Sequence, residues 1–242
     1  MSHDRRLALV AGILYLVTFV TSMPALALKT PFLDTGTDPT LAVWGAILEV
    51  VLAAACVGTA VTLYPVTRRV SEPLGLGFVA SRTIEAVLIL VGVLAVLALV
   101  SIADTAGEQA RTALTGLHTW AFLLGPAVMS ATNALLLGTV LFRARLVPRV
   151  IPGIGLVGAP LLYASSIGVM LGGWGQTSAI GALAAVPIAA WEFTLGVWLI
   201  ARGFRQSALA ALPGSVPARD ARGGDPDEAH ALVDAGDRGV LR

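Results

Sequence analysis

Six apolar runs, each long enough to cross a bilayer, fill residues 7 to about 202 of this chain. They lie at roughly 7–28, 42–66, 74–101, 114–142, 151–173 and 178–202. About 20 consecutive apolar residues are needed to span the hydrocarbon as a helix. Only 13% of the 242 residues are charged, and 56% are hydrophobic. A soluble domain carries about 25% charged residues, so half the expected charge is missing. Backbone facing lipid must satisfy its own N–H and C=O groups, which leaves helices or closed barrels. The alternating ten-residue strands of a barrel are absent. The expected fold is therefore all-α: a polytopic integral membrane protein with six transmembrane helices in a bundle.

The basic residues set an expected orientation. Arg5, Arg6, Arg68, Arg69, Arg143, Arg145, Arg149, Arg202 and Arg205 flank the spans on one face, against Lys29 and Arg111 on the other. The positive-inside rule puts the nine, and both termini, in the cytoplasm. Trp44, Trp120 and Trp174 fall near the opposite ends, as an interfacial aromatic belt does. Fifteen Arg to one Lys, amid abundant Ala and Gly, point to a GC-rich bacterial genome and so to a bacterial plasma membrane. The charged start from His3 to Arg6 and Ala25-Leu26-Ala27 resemble a secretory signal, whose cleavage would leave five spans; the apolar stretch exceeds the 7–15 residues of such a signal, so the first span reads as a membrane helix.

The connections at 29–41 and 102–113 read as short polar loops with Asp34, Asp38, Asp104 and Glu108. Residues 1–205 form the transmembrane domain. Residues 206–242, rich in Gly, Pro, Ala, Asp and Arg, read as a disordered cytoplasmic tail, with a short helix possible at 226–235. Spans two, four and six each carry one strongly polar residue, which hints at three related hairpins. The single Cys56 excludes an intramolecular disulfide and reads as a small packing residue.

Five ionisable groups lie within the spans: Glu49, Arg82, Glu85, His118 and Glu192, joined by Asn133. A charge at mid-bilayer costs about 2.5–3.5 kcal/mol on insertion scales, so such groups face the bundle and find partners. At 1.5 Å per residue, Arg82, Asn133 and Glu192 share one level, roughly 15 Å from the basic end. Glu85, at i+3 from Arg82, shares its helix face. Glu49 belongs to the other half, on a stripe with Ala42, Ala46, Ala53, Cys56 and Ala60 that favours close helix contact. His118, beside Trp120, reads as a wet interfacial histidine; the sharper alternative is an outer proton relay with Glu49. Pro126, Pro160 and Pro187 are expected to interrupt spans four, five and six.

Three carboxylates against one guanidinium leave an excess of two negative charges. Either some carboxyls keep their proton or a cation compensates. The first points to proton coupling, the second to a small polar or cationic ligand. Arg82, Glu85, Asn133 and Glu192 are thus candidates for a carrier or sensor site, with Glu49 and His118 as further candidates. The competing classes are a non-catalytic scaffold held together by these charges and, third, an intramembrane enzyme. No catalytic residue is named and no cofactor is expected.

Other signals are rejected. Gly153-x-Gly155-x-x-Gly158 matches a dinucleotide fingerprint by letter, but it starts a span with no preceding strand. Close helix packing explains it better, as it does Gly168-x-x-x-Gly172. His3, His118 and His230 are too far apart for a histidine zinc site, and a net charge of +1 gives no reason to expect nucleic acid. The lipid bilayer is the expected partner; oligomeric state is not legible.

The ordered polar set resembles a known family. It rests on Arg6-Leu-Ala-Leu-Val-Ala-Gly12-Ile-Leu-Tyr15, Gly45-Ala-Ile-Leu-Glu49, Gly77-Phe-Val-Ala-Ser-Arg82-Thr-Ile-Glu85, Leu117-His118-Thr-Trp120-Ala-Phe-Leu-Leu-Gly125-Pro126, Asn133-Ala-Leu-Leu-Leu-Gly138 and Trp191-Glu192-Phe-Thr-Leu-Gly196-Val-Trp198. Over residues 5 to about 206 the chain resembles the bacterial multi-pass membrane proteins called domain of unknown function 4386. That resemblance implies an all-helical membrane protein and implies no activity.

Overall fold

The computed structural model describes residues 1–103, 105 and 107–213. Asp104, His230, the segment at 226–235 and the rest of the tail beyond 213 lie outside the described residues.

All six expected spans are helices, and among the described residues there are no strands. They are α1 (His3–Thr35), α2 (Pro39–Val70), α3 (Glu72–Ser101), α4 with α5 (Glu108–Phe122 and Ser130–Ala144, joined by a π-helical turn), α6 (Val150–Met170) and α7 (Ala179–Ala201). All six are long and apolar enough to cross a membrane. Large apolar side chains such as Val20, Val61, Leu94, Val157 and Leu183 are exposed on their outer faces. Helices that are apolar all round belong in lipid, so the chain has the character of a multi-pass membrane protein.

The ends of α1 differ from expectation. Ser2 caps its start, accepting from the Arg5 N–H at 3.3 Å. The helix then runs beyond the apolar stretch to Thr35, where Gly36 takes a left-handed φ of 77° and stops it. The expected loop at 29–41 is thus mostly helix, and Lys29 lies inside α1. Lys29 finds its partner inside the bundle, as described below.

Each helix packs on its sequence neighbours, and α7 closes back onto α1. The order around the bundle is therefore that of the chain. α5 is more central than the rest, touching α2, α3, α6 and α7.

The two halves of the bundle are built differently. The half bearing the arginine-rich ends is solid: Ala8, Tyr15, Leu63, Phe78, Ala134, Leu137, Leu141 and Leu195 pack into one continuous core. Arg5 ties α1 to α7 there, its Nη1 donating to the Leu199 carbonyl at 2.7 Å. Residues 206–210, expected as the start of an irregular tail, form a short helix, α8 (Gln206–Ala210). Its Leu209 joins the core, and the Arg205 N–H donates to the Leu146 carbonyl at 2.9 Å. Ala208 and Leu212 also pack against the core, so burial of these side chains and the backbone hydrogen bond hold this segment on the bundle.

The opposite half is hollow. It holds a cavity of about 560 Å³ bounded by α1, α2, α3, the end of α4, the π-helical turn, the start of α5, α6 and α7. Met23 of α1 and Val186 of α7 line it and are also exposed on the outer surface, as are Thr177 and Ala182 near the start of α7. Towards the solid half, Gly12 and Gly196 bring α1 and α7 together; a Cβ on Gly12 would stand 2.7 Å from the Gly196 carbonyl oxygen.

The prolines are absorbed in two ways. Pro126 lies in the π-helical turn Leu123–Met129. A proline ring clashes with the carbonyl four residues back and offers no N–H; the wider turn relieves both. By contrast α6 and α7 run through Pro160 and Pro187 as single helices, so the expected interruptions do not occur there. Pro187 packs against Gly158, where a Cβ would stand 2.8 Å away. Gly155 likewise receives the Trp191 ring. Gly168 accommodates Trp174 from the following connection, and Gly172 is a left-handed turn residue at φ 76°, so this pair makes no helix–helix contact.

Candidate functional site

The helix order puts Arg82, Glu85, Asn133 and Glu192 in one cluster at the cavity floor. Arg82 and Glu85 are one turn apart on α3, and Arg82 Nη1 donates to Glu85 Oε2 at 2.8 Å. Asn133 Nδ2 of α5 donates to the same oxygen at 2.7 Å, and Ser130 Oγ donates to Glu85 Oε1 at 3.0 Å. Glu85 is therefore saturated: three donors from two helices hold its carboxylate.

Glu192 of α7 is not. Its Oε1 stands 3.5 Å from Arg82 Nη1, which already serves Glu85, and this buried oxygen has no hydrogen-bond partner. Arg82 is 1% exposed, with Nε and Nη2 also unpartnered and its guanidinium 5.2 Å from the centre of the Tyr15 ring. Arg82, Glu85, Ser130 and Glu192 all line the cavity.

Glu49 and His118 form a second cluster with a residue the sequence had assigned to a loop. Lys29 Nζ of α1 donates to Glu49 Oε1 of α2 and lies 2.9 Å from His118 Nε2 of α4. Lys29 is fully buried. His118 is 5% exposed, so it is not the wet interfacial group expected; Phe122 stacks on it and Lys29 occupies its polar edge. A direct Glu49–His118 pair is not formed, because the ammonium bridges them. Glu49 also lines the cavity, and its Oε2 is buried and unpartnered.

The charge count changes accordingly. Two cations, Lys29 and Arg82, now face three carboxylates. The excess is one negative charge with all ionised and His118 neutral, rather than two. Among the described residues no three His, Cys, Asp or Glu side chains converge to hold a metal ion.

Lys29, Ser130 and Tyr15 are not among the site residues expected from the sequence, yet each carries a signal there. Ala8, Ala11, Tyr15, Thr18, Ala25, Lys29 and Phe32 recur at helical spacing and are all buried on one stripe of α1. Ser130 precedes Asn133 by three residues, on the same face. Gly45 is a further sign, since a Cβ there would stand 2.6 Å from Lys29 Cγ; the glycine makes room for the lysine stem.

A bundle of six helices long and apolar enough to cross a membrane, with ionisable groups turned inward around a cavity, has the character of a multi-pass membrane protein. The model of the domain of unknown function 4386 family matches residues 10–203. The chain belongs to that family. Comparison with curated proteins and with solved structures returns no match.

Proposed function

We propose that the protein is a carrier or sensor whose small polar or cationic ligand, or proton, occupies the hollow half of the bundle above Arg82, Glu85, Asn133 and Glu192. The observation that carries this reading is a cavity of about 560 Å³ lined at its floor by Glu192, whose nearest charged neighbour is Arg82 at 3.5 Å and whose Oε1 accepts no hydrogen bond. Ligand pockets are about 300–1,000 Å³, mostly apolar, with a few convergent polar groups. Close packing is the rule for an interior that serves only stability.

The roles divide by hydrogen bonding. Glu192 is the group that meets the ligand or takes the proton. Arg82 tunes its field. Asn133 and Ser130 hold Glu85, which in turn holds Arg82. The arginine-rich end supports a topology with both termini in the cytoplasm of a bacterium, at the plasma membrane. The hollow then faces outward.

One observation favours a second reading. Glu85, with three donors, is what a structural ion pair requires, and a scaffold held together by such glue needs nothing more. Thiol accessibility separates the two. Single cysteines at Ala185 and Ala189, which line the cavity, are compared in a Cys56→Ala background with one at the buried Leu195. A carrier or sensor has both cavity positions reacting with a polar maleimide about tenfold faster than position 195, in line with water reaching the floor. Equal, slow reaction at 189 and 195 removes the ligand site and leaves the scaffold.

A further inference from the structure

We propose that the ligand of this cavity is a single protonated amine carried on an apolar body, its N–H groups donating to Glu192 and its body lying along the upper walls. This rests on the reading of the cavity as a ligand site and narrows the ligand to one chemical class.

Charge sets the first requirement. Glu49 is matched by Lys29 and Glu85 by Arg82. Glu192 is the carboxylate left over, with a weaker 3.5 Å approach to the already engaged Arg82. One positive charge balances the interior. An anion would add to the excess, and a neutral ligand would leave it uncorrected at a site where uncompensated charge is costly.

Hydrogen bonding sets the second. Glu192 lines the cavity floor, and no donor among the described residues hydrogen-bonds its carboxylate. A buried acceptor left unmade costs about 1–3 kcal/mol. A quaternary ammonium brings charge but no N–H, so it leaves that acceptor unsatisfied.

Shape and access set the third. Phe19, Leu26, Leu52, Ile89, Phe122 and Leu162 make the upper walls largely apolar. Met23 and Val186, which line the cavity, are also exposed on the apolar outer faces of α1 and α7, which makes the gap between these helices the proposed way in. An amphiphilic amine partitioned in the bilayer meets that opening directly. A proton alone balances the charge and leaves the apolar volume unused; it is the competing outcome.

The test uses the full chain in lipid nanodiscs. The probes are 2-phenylethylamine, its neutral counterpart 2-phenylethanol and its N,N,N-trimethyl ammonium form, read by calorimetry and by the shift in Tm. The amine is expected to bind about tenfold or more tighter than either relative. Glu192→Gln is expected to bring the amine down to the affinity of the alcohol and to leave the alcohol unchanged. Equal binding of alcohol and amine overturns the amine class while keeping the cavity as a site. Equal binding of the trimethyl form overturns the N–H requirement, and the proposal with it. No binding by any probe, with a cysteine at Ala189 still reacting fast, also overturns it and leaves the proton. No binding with that cysteine unreactive removes the underlying site as well. If Glu192→Gln does not fold, the comparison of the three probes on the native protein decides by itself.

Discussion

Lys29 and Glu49 are ion-paired across α1 and α2, twenty residues apart in the chain, with the lysine fully buried and the glutamate nearly so. Glu49 lines the cavity, and Lys29 behind it joins His118 to the same cluster. Removing one member of a buried pair costs about 3–5 kcal/mol, because the other is left uncompensated. Lys29→Met is therefore expected to lower Tm steeply in detergent-purified protein. Lys29→Met combined with Glu49→Gln is expected to recover more than half of the loss. A double variant as unstable as the single one would mean that the two side chains are not coupled.

The two carboxylates of the floor are expected to behave in opposite ways. Glu85→Gln strips the charge partner of Arg82 and disturbs the bonds from Ser130 and Asn133. Its expected cost is about 2–3 kcal/mol. Glu192→Gln removes the excess negative charge and breaks no hydrogen bond, so stability should change by less than about 0.5 kcal/mol or rise. Thermal unfolding of both variants checks the contrast. Equal, large losses at 85 and 192 make the whole cluster glue.

Packing of α1 on α7 depends on two glycines. A Cβ on Gly12 would press on the Gly196 carbonyl oxygen and stand 2.8 Å from Ile200 Cγ1. Gly12→Ala is expected to cost about 1–3 kcal/mol by overpacking. Gly153→Ala, with nothing within 4 Å of the new carbon, is expected to be neutral or to gain up to about 1 kcal/mol from helix propensity. Urea or thermal melts of the pair decide; similar losses would contradict the close approach.

The hollow and solid halves should respond differently to added volume. Ala189→Phe projects into the cavity and is expected to cost less than about 1 kcal/mol while blocking amine binding. Ala134→Phe enters a core with no exposed surface and is expected to cost about 3 kcal/mol or more, beyond the usual overpacking range. Tolerance of both would mean that the asymmetry of the bundle is absent.

Part of the site was legible in the chain because depth and face follow from residue number in a helix. Arg82, Asn133 and Glu192 share a level by counting rises from their flanking groups, and they meet in the structure. The stripe from Ala42 to Ala60 is buried throughout. Lys29 was misplaced because a lysine near the end of an apolar run looks the same whether it ends the span or continues it. Its partner, twenty residues on, is a matter of α1 meeting α2.

Local hydropathy and helical period determined the number of spans, their approximate bounds and the inward faces, since each depends on residues a few turns apart. Only the tertiary structure decided which helices adjoin, where the arginine and lysine find carboxylates, and which half stays hollow. Those outcomes depend on how side chains from distant segments fill a shared volume. The π-helical turn at Pro126 and the glycine contact of α1 with α7 shape that volume, and neither changes the hydropathy of the run that contains it.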